Sequence, residues 1–295
     1  MIVVVGEQIV DRLVQPDGSV LEVAGGAPAN VAVTLARLGD DVALRARIAA
    51  DEHGRLLRAR LDRTGVRTDL LVAAPGATST ALVHTDEHGR ASYAFSLDGT
   101  VDWQWTDEEL AGTTTAATTA LVLGSLAMAM RPGCDAVERL AATTSARVFY
   151  DPNMRPALMR GDERERVERQ VLLADVVKVS DDDVAITHPG DDPLAVARRW
   201  SEPDRLVVLT RGDRGSLAVH AGSVVASCDA LPVTVVDTVG AGDAFLAGLV
   251  HALTHGDAID GALAFATRVA AASCTRPGAY APPLDEVLAI PMVSA

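Results

Sequence analysis

Short runs of apolar, mostly β-branched residues recur along the chain and alternate with segments of helical periodicity. Runs that are apolar throughout are typical of parallel strands that are buried on both faces by helices. The pattern predicts a doubly wound α/β fold, a mainly parallel sheet flanked by helices, in a single domain over residues 1–295. The predicted strands cover residues 2–6, 120–124, 147–151, 175–180, 205–210 and 233–236.

Two stretches, residues 8–23 and 67–97, alternate apolar and polar positions instead. This alternation predicts antiparallel strands with one face in water, with turn signals at Pro16-Asp17-Gly18 and Glu87-His88-Gly89. Such strands do not suit a sheet buried on both faces, so we expect a small antiparallel β lid that projects from the domain and covers a site. The apolar face of the lid needs a partner, which predicts a homodimer formed through the lid.

Composition narrows the partners of this domain. Of its residues, 48% are hydrophobic and 22% are charged, which is typical of a folded globular protein. The net charge of −14 argues against nucleic acids and anionic membranes, because both require a basic surface. No apolar run reaches the ~18 residues of a membrane span, and Met1 leads directly into a strand-like run. We therefore expect a cytoplasmic protein with small-molecule partners and reduced cysteines.

A glycine-containing motif, VTVVDTVGAGDAFLAG, covers residues 233–248. It predicts a strand ending near Val236, a tight turn at Gly240 and Gly242, and a helix beginning near Asp243. The unpaired amides at such a helix start attract a phosphate or a developing phosphoryl charge. Asp243 has two interpretations: a base that takes a proton from a hydroxyl, or a residue that caps the helix.

A second motif, GGAPANVAVTLARLG, covers residues 25–39. Pro28 suits the first turn of a helix, residues 31, 35 and 38 form one apolar stripe, and Gly39 suits the end. The glycines before the helix allow a ligand to approach the backbone. Asn30 offers both a donor and an acceptor, either to a ligand or to local turn bonding.

Two common nucleotide-binding signatures are absent from the sequence. A P-loop requires GxxxxGK[ST], but Lys178 is the only lysine of the chain and no such motif surrounds it. The dinucleotide signature GxGxxG is also absent after the first strand. A nicotinamide-dependent oxidoreductase is therefore a weak alternative, and a protein of this kind that handles ATP has to use helix amides and arginines.

The two motifs together resemble the paired signatures of the PfkB/ribokinase-like carbohydrate kinases, GG-x-x-x-N and D-T-x-G-A-G-D. The resemblance extends from Gly6-Glu7 to Pro283, and Gly99-Thr-Val-Asp-Trp and Asp151-Pro-Asn-Met-Arg-Pro are similar to fructokinase-type members. It implies a ribokinase-like fold whose lid often serves as a dimer interface. It also implies that Asp243 is the catalytic base.

The resemblance implies further roles around that base. The amides of Gly240, Ala241 and Gly242 would form the anion hole. Sugar hydroxyls would bind to Asp11, Gly26 and Asn30, with Asn153 and Arg155 near the substrate and the transferred phosphate. From the residues alone, Asp11 also fits a turn or an exposed lid carboxylate, and Arg155 a surface arginine.

On the nucleotide side, the resemblance implies roles for Ser180, Thr210, Gly212 and Gly215. A plain turn would use the glycines of segment 210–215 equally well. The resemblance also implies that Asp237 and segment 274–279 enclose a monovalent cation, K⁺. Ser180-Asp-Asp-Asp183 stands where many members carry N-x-x-E, so Asp183 becomes a Mg²⁺ candidate, or simply part of a charged helix start.

These observations predict an ATP-dependent sugar kinase that uses Mg²⁺ and K⁺ and phosphorylates a primary hydroxyl, with fructose as the favoured acceptor. A 2-keto-3-deoxygluconate kinase, a ribokinase and a nucleoside kinase are the alternative activities, because a few lid side chains decide the acceptor. A non-catalytic sugar-binding or regulatory member of the same fold is the alternative of another class.

Overall fold

The computed structural model describes residues 1–15, 17–85, 91–159 and 161–291. The strands in these ranges are β1 (Ile2–Val5), β2 (Ile9–Val14), β3 (Val20–Gly25), β4 (Val42–Arg45), β5 (Arg47–Ile48), β6 (Val72–Ala73), β7 (Thr80–Thr85), β8 (Ala91–Ser96), β9 (Ala120–Gly124), β10 (Arg147–Asp151), β11 (Val176–Ser180), β12 (Leu206–Thr210), β13 (Ser216–His220) and β14 (Ser223–Cys228). The α-helices are α1 (Ala27–Leu38), α2 (Glu52–Asp62), α3 (Asp107–Leu110), α4 (Ser125–Ala129), α5 (Gly133–Thr143), α6 (Glu163–Val171), α7 (Asp181–Thr187), α8 (Pro193–Trp200), α9 (Ala241–Thr254), α10 (Ile259–Ser273) and α11 (Leu284–Ala289).

The main sheet has eight strands in the order β14-β13-β12-β11-β10-β9-β1-β4. Its strands are parallel from β4 to β12, and β13 and β14 are added as antiparallel neighbours. The predicted α/β class and the mainly parallel sheet are therefore confirmed. Because parallel strands share one carboxyl edge, the residues that follow β1, β10, β11 and β12 meet along that edge.

Helices cover both faces of this sheet, which explains the continuous apolar runs. In β1, Val4 packs in the cluster that contains residues of α1, α9 and α10, whereas Val3 and Val5 pack in the cluster that contains residues of α5, α6 and α8. Every residue of β1 and β9 is buried. A strand with helices on both sides has no polar face, so the alternation of an exposed sheet does not arise.

The strand predicted over residues 233–236 is wrong. The segment is irregular, and Val235 and Val236 are each 58% exposed. The amide of Val236 donates to the carbonyl of Cys274 rather than to a strand of the main sheet. β-Branched residues favour extended backbone, but a strand also requires a neighbouring ladder, and this segment lies beside a loop instead.

A second sheet of four strands, in the order β3-β2-β7-β8, occupies the predicted lid stretches. Strands β2/β3 and β7/β8 are antiparallel pairs, while β2 and β7 are parallel. Within the second stretch the sheet starts only at Thr80, because residues 67–73 lie against β4 and β5. The turn at Asp17 is closed by the Ser19 amide, which donates to the Asp17 carboxylate; Pro16 and Glu87-His88-Gly89 lie outside the described residues.

Helix α1 follows the sequence pattern closely. Pro28 stands in its first turn, Gly39 ends it with a left-handed φ of 99°, and Val31, Leu35 and Leu38 are buried. Among the helices of the described ranges, none is long and apolar enough to cross a membrane.

Candidate active site

Helix α9 presents its amino end at the carboxyl edge of the sheet through a turn that only glycine fits. Gly240 has a φ of 76°, and a Cβ there would lie 2.9 Å from the Cα of Ala279. The amide of Ala241 donates to the Thr238 carbonyl at 3.1 Å and closes this turn. The amide of Ala241 is therefore already paired, whereas the amides of Gly240 and Gly242, the other two of the predicted anion hole, have no hydrogen-bond partner among the described residues.

Asp243 does not cap α9. The N-cap position is Gly240, without any side-chain capping bond, and Asp243 lies three residues further on. Its Oδ2 accepts a hydrogen bond of 2.9 Å from Nδ2 of Asn30 on α1. The capping interpretation is therefore wrong, and the carboxylate is directed towards the neighbouring helix at the sheet edge.

Asn30 in turn contacts an arginine that the sequence did not indicate. Nη2 of Arg60, on α2, donates to Oδ1 of Asn30 at 2.8 Å. Arg60 also interacts electrostatically with Asp11 and Asp243. No motif surrounds Arg60, so nothing in the sequence distinguishes it from the other arginines of α2.

The carboxylates of this region share an environment that favours their protonated forms. Burial raises the pKa of Asp243, while the Asn30 bond and the charges of Lys178, Arg155 and Arg60 oppose the rise. Burial also raises the pKa of Asp11 to about 6 against the attraction of Arg60. A carboxylate whose pKa is brought nearer to neutrality is a stronger base for a hydroxyl proton.

Other predicted residues border the same space. Asn153, which has a left-handed φ of 43°, lines one cavity together with Asp243, Gly124 and Ser125. Nη1 of Arg155 donates to the carbonyl of Met154, and its charge acts on Asp243. A larger open groove lies at the opposite, amino edge of the sheet, among Thr144, Arg147, Asp204 and His220, and none of the predicted site residues lines it.

Gly26 and Asp11 are placed by close backbone packing. A Cβ on Gly26, whose φ is 99°, would lie 2.8 Å from the carbonyl oxygen of Glu7. Asp11, on β2 of the four-stranded sheet, packs directly over Gly25, where a Cβ would lie 2.1 Å from Oδ2 of Asp11. The lid and the amino end of α1 therefore meet at this point, as expected for residues that share a ligand.

A buried ion pair and a buried glutamate, to which the sequence motifs assigned no role, lie beneath the site. Nζ of Lys178, on β11, donates to Oδ2 of Asp151 at 2.9 Å, and both side chains are nearly inaccessible. A Cβ on Gly242 would lie 3.4 Å from this Nζ, so the ammonium lies directly behind the first turn of α9. Glu7 is buried as well, and burial raises its pKa to about 7. The one feature of the sequence that distinguishes Lys178 is that it is the only lysine of the chain.

The residues predicted for the nucleotide side lie further along the same edge. Ser180 and Thr210 are paired in register at the carboxyl ends of β11 and β12. Gly212 and Gly215 have left-handed φ values of 59° and 74° in the short turn that connects β12 to β13. A Cβ on Gly215 would lie 2.1 Å from the carbonyl of Cys228, so this glycine is required by the turn itself.

The contacts of Asp183 do not suit a Mg²⁺ ligand. Its Oδ1 accepts from the amide of Met154 at 2.7 Å, and its Oδ2 accepts from both the amide and the hydroxyl of Ser180. The residue is 3% exposed and closes a capping box at the start of α7. A ligand of a hydrated metal needs an accessible oxygen, so these contacts favour the structural interpretation.

Asp237 connects the two segments that were expected to enclose a cation. Its Oδ1 accepts from the amide of Val239 at 3.0 Å, and its Oδ2 accepts from the amide of Gly278 at 2.7 Å. Each carboxylate oxygen has two lone-pair directions, so one on each remains available. This donor set of carboxylate beside two backbone segments fits a hard monovalent cation.

A carboxylate base beside a helix start that attracts anions is what phosphoryl transfer to a hydroxyl requires. The fold and this site define a class, the kinases of small hydroxylated molecules. A family model described as pfkB family carbohydrate kinase matches residues 1–286. The chain belongs to this family, and it is a sugar kinase.

Individual relatives cover most of the chain. A fructokinase of Klebsiella pneumoniae is 34% identical over 266 residues, 86% of this chain and 84% of its own length. The crystal structure of a Xylella fastidiosa fructokinase with bound ATP superposes with a TM-score of 0.89 at 28% identity, covering 98% of this chain and 97% of that one. A double mutant of Vibrio cholerae O395 fructokinase, in its fructose, ADP and potassium ion bound form, gives a TM-score of 0.87 at 28% identity with the same coverages.

Proposed function

We propose that this sugar kinase is a fructokinase, which transfers the γ-phosphate of ATP to a primary hydroxyl of fructose with Asp243 as the general base. The observation that carries the proposal is the Asp243 carboxylate, which Asn30 holds beside the glycine-rich start of α9. The similarity to fructokinases, including those described with fructose, ADP and ATP, supports this choice of substrates.

In the proposed reaction, the sugar lies between the carboxyl edge of the main sheet and the four-stranded lid. Asp11 and Asn30 bind its hydroxyls, and one primary hydroxyl points towards Asp243. The carboxylate accepts the proton as the hydroxyl oxygen attacks the γ-phosphorus and the bond to the β-phosphate oxygen breaks. The amides of Gly240 and Gly242 stabilise the charge on the transferred group, and the lid excludes water.

The test is a coupled assay of ADP release over fructose, other hexoses, ribose, 2-keto-3-deoxygluconate and nucleosides. We expect fructose to give the highest kcat/KM. Preference for another acceptor on this panel would contradict the fructokinase proposal while keeping a sugar kinase. If no acceptor on the panel causes ADP release, the catalytic proposal as a whole is contradicted and a sugar-binding role is favoured.

We also propose that K⁺ activates the enzyme from a position beside Asp237. The cation would fix the turn that precedes α9 and so the amides that face the phosphate. Turnover should rise several-fold when K⁺ replaces tetramethylammonium at equal ionic strength, and Asp237→Asn should remove most of that rise. Equal turnover in the two salts would contradict this prediction.

The lid is proposed as the dimer interface. On β3, Val20 and Leu21 are 42% and 52% exposed, which leaves an apolar patch at the edge of the four-stranded sheet. An exposed apolar edge strand favours a partner. Light scattering at micromolar concentration should give the mass of a dimer, and Leu21→Glu should shift the mass towards a monomer. A monomeric mass for the unchanged chain would contradict the proposal.

A further inference from the structure

Arg60 is connected to the proposed base through one intervening side chain. Its Nη2 donates to Oδ1 of Asn30 at 2.8 Å, and Nδ2 of Asn30 donates to Oδ2 of Asp243 at 2.9 Å. The three residues come from α2, α1 and α9, which meet at the carboxyl edge of the main sheet.

This arrangement fixes the orientation of the Asn30 amide. A guanidinium can only donate hydrogen bonds, so the oxygen of Asn30 has to face Arg60. The amide nitrogen must then face Asp243, where it donates to the carboxylate. The Asp243 carboxylate, which can only accept, favours the same orientation, so Arg60 reinforces it by holding the Asn30 oxygen on the opposite side.

Arg60 also carries an unused donor. Its Nη1 is buried and has no hydrogen-bond partner among the described residues. The guanidinium acts electrostatically on both Asp11 and Asp243, which belong to the lid and to α9 respectively. A hydroxyl lying between these carboxylates could accept from Nη1 and donate to Asp11, which would satisfy a buried donor that is otherwise costly to leave unpaired.

We propose that Arg60 is a positioning residue of this site: it orients Asn30 so that Nδ2 donates to Asp243, and its Nη1 donates to an acceptor oxygen held between Asp11 and Asp243. The proposal rests on the proposed function for the identity of that acceptor. The orientation of Asn30 and the charge beside Asp243 do not depend on it.

The charge of Arg60 is one of several that act on Asp243. The groups that face Asp243 from the surrounding elements are Glu7 after β1, Asp11 on β2, Arg60 on α2, Asp151 on β10, Arg155 after β10 and Lys178 on β11. Arg60 is one of three cations in this set, and it lowers the pKa of Asp243. Removing it should therefore raise that pKa, so the acidic limb of the pH profile should move to higher pH.

The experiment compares Arg60→Met with Arg58→Met, the same change two residues earlier on α2. Arg58 is exposed and contacts only its exposed neighbour Asp62 among the ion pairs of the described residues. For Arg60→Met we expect kcat/KM for fructose to fall about 10- to 100-fold, the value of a hydrogen bond to a charged group. The acidic limb of kcat/KM should move to higher pH in Arg60→Met only. Arg60→Lys, which keeps the charge, should recover the position of that limb but only part of kcat/KM.

A second readout does not require turnover. The pKa of Asp243 is measured from its carboxyl ¹³C NMR signal, assigned by its loss in Asp243→Asn, in the unchanged chain and in both Met variants. Arg60→Met should raise this pKa and Arg58→Met should not. If the unchanged chain phosphorylates no sugar but the pKa rises in Arg60→Met, the proposed function fails and the positioning role stands. If fructose is phosphorylated and the two Met variants match in kcat/KM, pH profile and pKa, the role of Arg60 is overturned.

Discussion

Replacing Asp243 with Asn should lower turnover with fructose about 10²- to 10⁴-fold, because a general base is typically worth that much and an amide cannot accept the hydroxyl proton. Binding of ATP should persist, since the helix start and its amides are unchanged. The variant is measured by single-turnover kinetics and by the affinity for ATP.

The folding stability of Asp243→Asn shows whether a loss of turnover could come from a damaged fold. Burial raises the pKa of Asp243 above its ordinary value, which means that the charged carboxylate destabilises the folded state. This destabilisation sets in as the pH rises above the pKa of the unfolded chain, and it is lost as the pH falls. Asn is neutral, and we therefore expect the variant to be at least as stable as the unchanged chain at pH 7. Near-normal turnover would show that Asp243 is not the base.

Asp260→Asn is the matched control for this change. Asp260 is an exposed acidic residue in the first turn of α10, the helix that follows α9. Like Asp243, it is a carboxylate in the first turn of a helix, but it is not part of the site. Turnover of Asp260→Asn should equal that of the unchanged chain.

Replacing Lys178 with Met should lower the free energy of unfolding by about 3–5 kcal/mol at pH 8, because removal of one partner leaves the other charge buried without compensation. Asp151 is the group left behind, and its Oδ1 already has no partner among the described residues. The double variant Lys178→Met with Asp151→Asn should recover most of the loss. Denaturant unfolding measures all three chains.

The pH dependence of this loss has a defined sign. Burial already raises the pKa of Asp151 to about 6, and loss of the ammonium should raise it further. The deficit of the Lys178→Met variant should therefore be largest above that pKa and shrink as the pH falls and Asp151 takes up a proton. Arg58→Met, which breaks the exposed pair with Asp62, should cost less than about 1 kcal/mol. A Lys178→Met loss no larger than that of Arg58→Met would contradict the prediction.

The sequence predicted the parts of the fold in which local pattern and tertiary environment agree. The strand at residues 120–124 and the helix that ends at Gly39 are both found, because continuous apolar runs and glycine stops have few alternatives. The strand at residues 233–236 failed because a β-branched run does not reveal whether a neighbouring strand is present. The sequence did not predict the hairpin of β13 and β14. β14 lies at the edge of the sheet and is mostly exposed, so it lacks the continuous buried apolar run on which the strand predictions were based.

The candidate site shows the same division. The two glycine-containing motifs identified Asn30 and Asp243, and the structure joins these two side chains across 213 positions of the sequence. For Asp183 the sequence left a Mg²⁺ ligand and a helix-start residue open, because the bond from the Met154 amide that favours the second role arises only through the pairing of β10 with β11. The sequence did not predict the role of Arg60, which belongs to no motif. It also did not predict the pairing of Lys178 with Asp151, because these two residues meet only through the neighbouring strands β10 and β11.

The sequence by itself determined the class of fold, the turn before α9 and the identity of the two motif residues, because glycine geometry and apolar periodicity are local properties. Only the tertiary structure decided which charges surround Asp243 and which way its hydrogen bonds run. Those features depend on the order of strands in the sheet and on the approach of α2 to α1 and α9. The basicity of Asp243 therefore depends on residues that become its neighbours only when the chain folds.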